Sequence, residues 1–92
     1  MSTIDVRCDP TAAGWTCVVS VDDGRRPPTS HEVAVTKADL ARLAPAASSP
    51  DDLVRRSFTF LLEREPKESI LRRFDLMVIA RYFPAYERTI RG

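Results

Sequence analysis

Residues 3–8 (TIDVRC), 16–21 (TCVVSV) and 31–35 (HEVAV) alternate apolar with polar positions, interrupted only at Val18. A period of two over five or six residues, rich in Val, Ile and Thr, predicts half-buried strands. The stretches between them, DPTAAG and DDGRRPPT, are turn chemistry, since Gly tolerates tight backbone and Pro cannot donate to a ladder. Register follows from requiring all apolar side chains on one face, because a one-residue slip turns the whole set to solvent. The first hairpin then pairs Ile4 with Val21, Val6 with Val19 and Cys8 with Cys17. For the second, pairing Cys17 with Val35, Val19 with Val33 and Val21 with His31 keeps the same face inward. The expectation is a three-stranded antiparallel meander over about 3–8, 15–21 and 30–36. Asp5, Arg7, Ser20 and Glu32 lie on its outer face.

From Thr36 the pattern turns helical. Thr36 and Asp39 have capping-box spacing, and Leu40, Leu43 and Ala44 line one side of a short helix over 37–44 that stops before Pro45. APAASSP then reads as a small-residue linker. Ser49 is a good N-cap, Pro50 suits the first helical position, and Asp51 and Asp52 complement the helix dipole. The helix they start should run over 50–65. Its apolar residues, Leu53, Val54, Phe58, Phe60, Leu61 and Leu62, spread over roughly 200° of the helix at about 100° per residue, so it must be covered on two sides. Pro66 ends it. KESILRRF predicts a short helix with Ile70, Leu71 and Phe74 inward. Asp75 would cap a following helix with Leu76, Ile79, Ala80 and Phe83 at i, i+3, i+4 and i+7, and Pro84 would begin a last turn with Tyr86 and Ile90. The class is a single α+β domain over 1–92 with two or three short C-terminal helices.

Ninety-two residues make one core, large enough to stand without a metal or disulfide but with little margin. Charge changes the picture mainly by cancelling: 14 basic residues face 13 acidic ones, for a net +1. That balance argues against a purely electrostatic partner such as an anionic membrane or bare duplex DNA. The opening MSTIDVRCDP has no basic start and no apolar run, and the longest apolar run, Leu76–Ala80, is far too short to span a bilayer. Both point to the cytoplasm, where Cys8 and Cys17 would be reduced and behave as small core hydrophobes. Two Cys and one His cannot close a zinc site within one chain, and neither metal nor cofactor is expected.

Catalytic chemistry has few places to reside. The single histidine, His31, sits at a strand start beside the Arg25–Arg26 loop and reads as an exposed or edge residue. Three glycines cannot form a phosphate loop. Glu63, Glu65 and Glu68 surround Arg64 and Lys67 as a self-compensating charged face. No enzyme is expected. The apolar residues Phe60, Met77, Val78, Tyr82 and Tyr86 exceed what one small sheet face absorbs, and surplus of this kind marks a partner surface, most simply a second copy. A non-enzymatic interaction or regulatory module that self-associates is therefore the leading expectation. The alternative is nucleic-acid binding by a helix-turn-helix outline over 69–83, with Arg72, Arg73 and Arg81 on phosphates. Against it, Met77 and Val78 stand where base-reading polar side chains belong.

The block SFTFLLEREPKESILRRFDLMVIARYFPAYE, residues 57–87, resembles a family of small bacterial proteins sharing SFxFLLEREPxxSIL followed by FxLxVIxxYFPxYE. The resemblance covers about a third of the chain, includes Pro66 and Pro84, and implies a shared domain without implying an activity or a catalytic residue.

Overall fold

The computed structural model describes residues 2–44 and 49–91. It is α+β: four strands form one mixed sheet, and four helices accompany it. The strands are β1 (Thr3–Pro10), β2 (Gly14–Asp22), β3 (Thr29–Thr36) and β4 (Arg73–Asp75). The helices are α1 (Lys37–Leu43), α2 (Pro50–Leu62), α3 (Val78–Tyr82) and α4 (Tyr86–Arg91). Strand order follows the chain, β1-β2-β3-β4. The meander is present as expected, and the fourth strand, parallel to β3, is a correction to it.

The first hairpin has the expected register, with Ile4 opposite Val21, Val6 opposite Val19 and Cys8 opposite Cys17. The second is displaced by two: Cys17 faces Val33, Val19 faces His31 and Val21 faces Thr29. Moving by two keeps every side chain on its face, so hydrophobic alternation cannot tell the two registers apart. Close backbone contact distinguishes them. Gly14 lies opposite Thr36, and a Cβ at Gly14 would stand 2.2 Å from the Val35 carbonyl oxygen. Only glycine lets the strands meet there.

Cys8 and Cys17 are not free thiols but form a disulfide, with Cα atoms 4.0 Å apart. Their opposition was legible in the alternation; their oxidation overturns the expectation of two reduced hydrophobes.

Both helix starts are built as expected. The Thr36 hydroxyl accepts from the Asp39 N–H while the Asp39 carboxylate accepts from the Thr36 N–H, and Ser49 accepts from the Asp52 N–H with Pro50 behind it. The linker residues 45–48 lie outside the described residues. α2 ends at Leu62 rather than at 65. Pro66 accounts for this, since a proline ring collides with the carbonyl four residues before it. The buried face of α2 carries Leu53, Val54, Phe58, Phe60 and Leu61 and is covered by β1 and β2 on one flank and by α1 and α4 on the other.

The largest departure is at 66–76. A short helix with Leu71 inward and an Asp75 cap is expected; instead a 3-10 turn (Lys67–Ser69) leads to extended chain and β4, and Met77 occupies the N-cap position of α3. Leu71 is exposed. The open edge of β3 outcompetes the helix: the Glu32 N–H donates to the Arg72 carbonyl (2.7 Å), the Leu76 N–H donates to the Ala34 carbonyl (2.9 Å), and Arg73 pairs with Glu32 at 3.1 Å. With a strand where its first helix was required, 69–83 is not a helix-turn-helix.

Candidate functional site

Phe60 and Tyr86, expected at a partner surface, lie in the core. Their rings meet edge to face, as do those of Phe60 and Phe83. The Arg64 guanidinium covers the Phe60 ring at 3.5 Å and donates to the Phe60 carbonyl. Ser57 donates to the Leu53 carbonyl, so the Tyr86 hydroxyl is the donor in its 2.7 Å bond to Ser57 Oγ. Burial pushes the Tyr86 phenol up to about 12, leaving it neutral. Met77 packs half-buried against the core.

Val78 is half-buried against the core in the same way, Tyr82 does reach the surface, and the structure adds Leu71 to it. Where α2 ends, the chain doubles back through the 3-10 turn to β4 and then into α3, and the space between is an open groove of about 360 Å³. Leu61, Ile70, Phe74 and Ile79 supply its buried floor, Leu71, Val78, Tyr82 and Phe83 its walls, and Glu65 and Ser69 a polar margin. Tyr82 is 68% exposed and Leu71 49%, and together they form the most exposed large apolar pair among the described residues. Leu71 was missed by sequence reasoning because 70, 71 and 74 fit a helical stripe. Its exposure follows from β4, which turns Phe74 inward between exposed Arg73 and Asp75.

His31 holds one wall in place. It is buried, contrary to the expectation of an exposed residue, and the Leu71 carbonyl can only accept, so Nδ1 donates to it (2.8 Å). Burial lowers the His31 pKa, opposed by this bond. The ring is therefore neutral and Nε2 accepts from the Thr29 hydroxyl at 2.8 Å. Lys67, also buried, pairs with Glu68 and with Asp23 at 3.3 Å, tying the 3-10 turn to the β2–β3 loop. Asp23 accepts from the Arg25 and Arg26 N–H groups, which with Lys67 hold its carboxyl down at about 2. The Arg25–Arg26 loop is thus a turn organised by Asp23. Lys67 is raised in turn, mainly by Glu68. Among the described residues no cluster of three His, Cys, Asp or Glu side chains could hold a metal ion, and every buried side-chain N or O atom has a partner.

Arg72, Arg73 and Arg81 are all exposed. Arg73 is paired with Glu32 of β3, and Arg81 lies in the last turn of α3.

No family model matches this chain, and neither the curated proteins nor the solved structures give a match. The groove must be understood from its geometry. All the residues that line it fall between Leu61 and Phe83.

Proposed function

We propose that this chain is a non-enzymatic protein-interaction module that self-associates and offers the groove between α2, β4 and α3 to an apolar element of a partner. The observation that carries the reading is the groove itself: an apolar floor with Leu71 and Tyr82 exposed at its wall. Water against such a surface is displaced at a gain of about 25 cal/mol per Å² of apolar area covered. Glu65 and Ser69 at the margin supply polar contacts of the kind that fix orientation. The one histidine is neutral, buried and spent on structural bonds, which supports a non-catalytic role.

The cytoplasmic location expected from the first residues is not needed for this role. No helix among the described residues is long and apolar enough to cross a membrane, and the Cys8–Cys17 bond is of a kind that oxidising compartments maintain.

Fluorescence of an apolar dye such as anilinonaphthalene sulfonate tests the groove, and light scattering after size exclusion tests association. Tyr82→Ser and Leu71→Ser together should lower dye binding at least several-fold with the melting temperature little changed, because neither side chain is in the core. Undiminished dye binding would sink the groove, and a strict monomer at several hundred micromolar would sink self-association. Nucleic-acid binding through Arg72, Arg73 and Arg81 is the weaker reading, since the helix-turn-helix outline that motivates it is replaced by a 3-10 turn and a strand, and Arg73 is already paired with Glu32. Its signature would be affinity for duplex DNA that falls with salt and with their replacement by Ala.

A further inference from the structure

The sheet has two edges, and β1 forms the long one, eight residues that among the described residues pair on one side only. Two observations show which of its backbone groups are free. The Ile4 carbonyl receives a long 3.5 Å contact from Arg55 Nε, so it points away from β2. Cys8 and Cys17 approach to 4.0 Å between Cα atoms, which matches the non-hydrogen-bonded class of opposed pair, about 4.5 Å, rather than the hydrogen-bonded class, about 5.5 Å. Both place Ile4, Val6 and Cys8 in the same set, with N–H and C=O groups directed outward along the open edge. The side chains of these three residues share the inner face and remain only half-buried.

We propose that this edge pairs antiparallel with β1 of a second copy about a two-fold axis at Val6, joining two sheets into one of eight strands. The occupant is indicated by the self-complementarity of TIDVRC. With the axis at Val6, Val6 meets Val6, Ile4 meets Cys8, and Asp5 meets Arg7 of the other copy, twice over. Every outward-directed backbone group between Ile4 and Cys8 finds its partner. The three half-buried side chains gain apolar neighbours on the inner face, and the outer face gains two opposite-charge cross-strand pairs. An axis one half-step away would mix inner with outer faces. An axis at Cys8 would set Pro10, which has no N–H, against Val6. Arg55, which also lines a shallow hollow with Asp5, Val6 and Arg7 at this edge, must swing aside, and its bond to the Ile4 carbonyl, at the outer limit of length, resists little.

This inference rests on the self-associating part of the proposed function and names its surface, leaving the groove for another partner. Sedimentation equilibrium of the full chain and four variants tests it. Asp5→Arg and Arg7→Asp should each weaken the dimer at least about tenfold by placing like charges opposite each other. An equimolar mixture of the two variants should recover a dimer of ordinary strength, since each then meets its complement. Val6→Pro should abolish pairing while leaving circular dichroism and the melting temperature of the monomer nearly unchanged, because the lost N–H faces away from β2. A wild-type chain that stays monomeric overturns both this inference and the self-association it rests on. A dimer indifferent to these variants but broken by Tyr82→Ser overturns the edge alone and places the second copy in the groove.

Discussion

At the scale of single residues, the side chains that matter most are those whose bonds reach far along the chain. His31 joins β3 to Leu71, forty positions away, and thereby positions a wall of the groove. Its depressed pKa has a consequence with a definite sign. The unfolded chain takes up a proton near pH 6.5 while the native ring stays neutral, so between that pH and the lower native value the unfolded state binds more protons. Stability should therefore fall as pH drops below about 6.5. Thermal melts from pH 7.5 to 5 check this, and His31→Leu should remove the slope and cost about 1–3 kcal/mol through the unpaired Leu71 carbonyl. Asp23 acts in a lower window: its contribution is present above pH 4 and is lost as pH falls toward 2. Gly14 offers a steric test. Gly14→Ala puts a methyl against the Val35 carbonyl oxygen and should cost about 1–3 kcal/mol or more in a urea melt, with loss of the β2–β3 register.

At the scale of elements, legibility follows the range of the forces involved. α1 and the start of α2 were readable because Thr36, Asp39, Ser49 and Pro50 act on backbone groups within three residues. The first hairpin was readable because its two strands are contiguous and its apolar pairs coincide in a single register. β4 was not. Three residues carry too little pattern to announce a strand, and KESILRRF has a valid helical stripe; only the unpaired edge of β3, brought up from residues 29–36, makes extension the better outcome. The Cys8–Cys17 bond lies between these cases, its geometry local and its chemistry set by surroundings. By the loop-closure argument a bridge spanning nine positions stabilises by up to about 2–3 kcal/mol, so reduction, or paired Cys8→Ala and Cys17→Ala changes, should lower the melting temperature by up to about 10–20 °C. An unchanged melt under reductant would show that the bond contributes nothing to the folded chain.

At the scale of the whole molecule, the apolar surplus divides in a way the pattern did not foresee. Phe60 of α2 and Tyr86 of α4 complete the core, Met77 and Val78 are half-covered, Tyr82 stays at the surface with Leu71, and Ile4, Val6 and Cys8 are left half-covered along β1. Two separate surfaces result, a groove and an edge, on a chain whose charge nearly cancels. If association proceeds through the edge, the melting temperature should rise with protein concentration, because a dimer that binds only folded chains stabilises them by mass action. Scans over a hundredfold range of concentration would show it, and the Val6→Pro chain should show no such rise.

Alternation, capping residues and prolines determined the α+β class, the strands of the meander, the inward face of its valines and where α1 and α2 begin, because these rest on the periodicity of a chain segment and on bonds spanning a few residues. Tertiary structure alone decided the two-residue shift of β2 against β3, the conversion of 73–75 into a strand, the burial of His31 and the opening of the groove. Each depends on a contact between distant segments: the backbone at Gly14 and Val35, the free edge of β3, the Leu71 carbonyl. A local pattern is compatible with either outcome there, and only the competition for those contacts separates them.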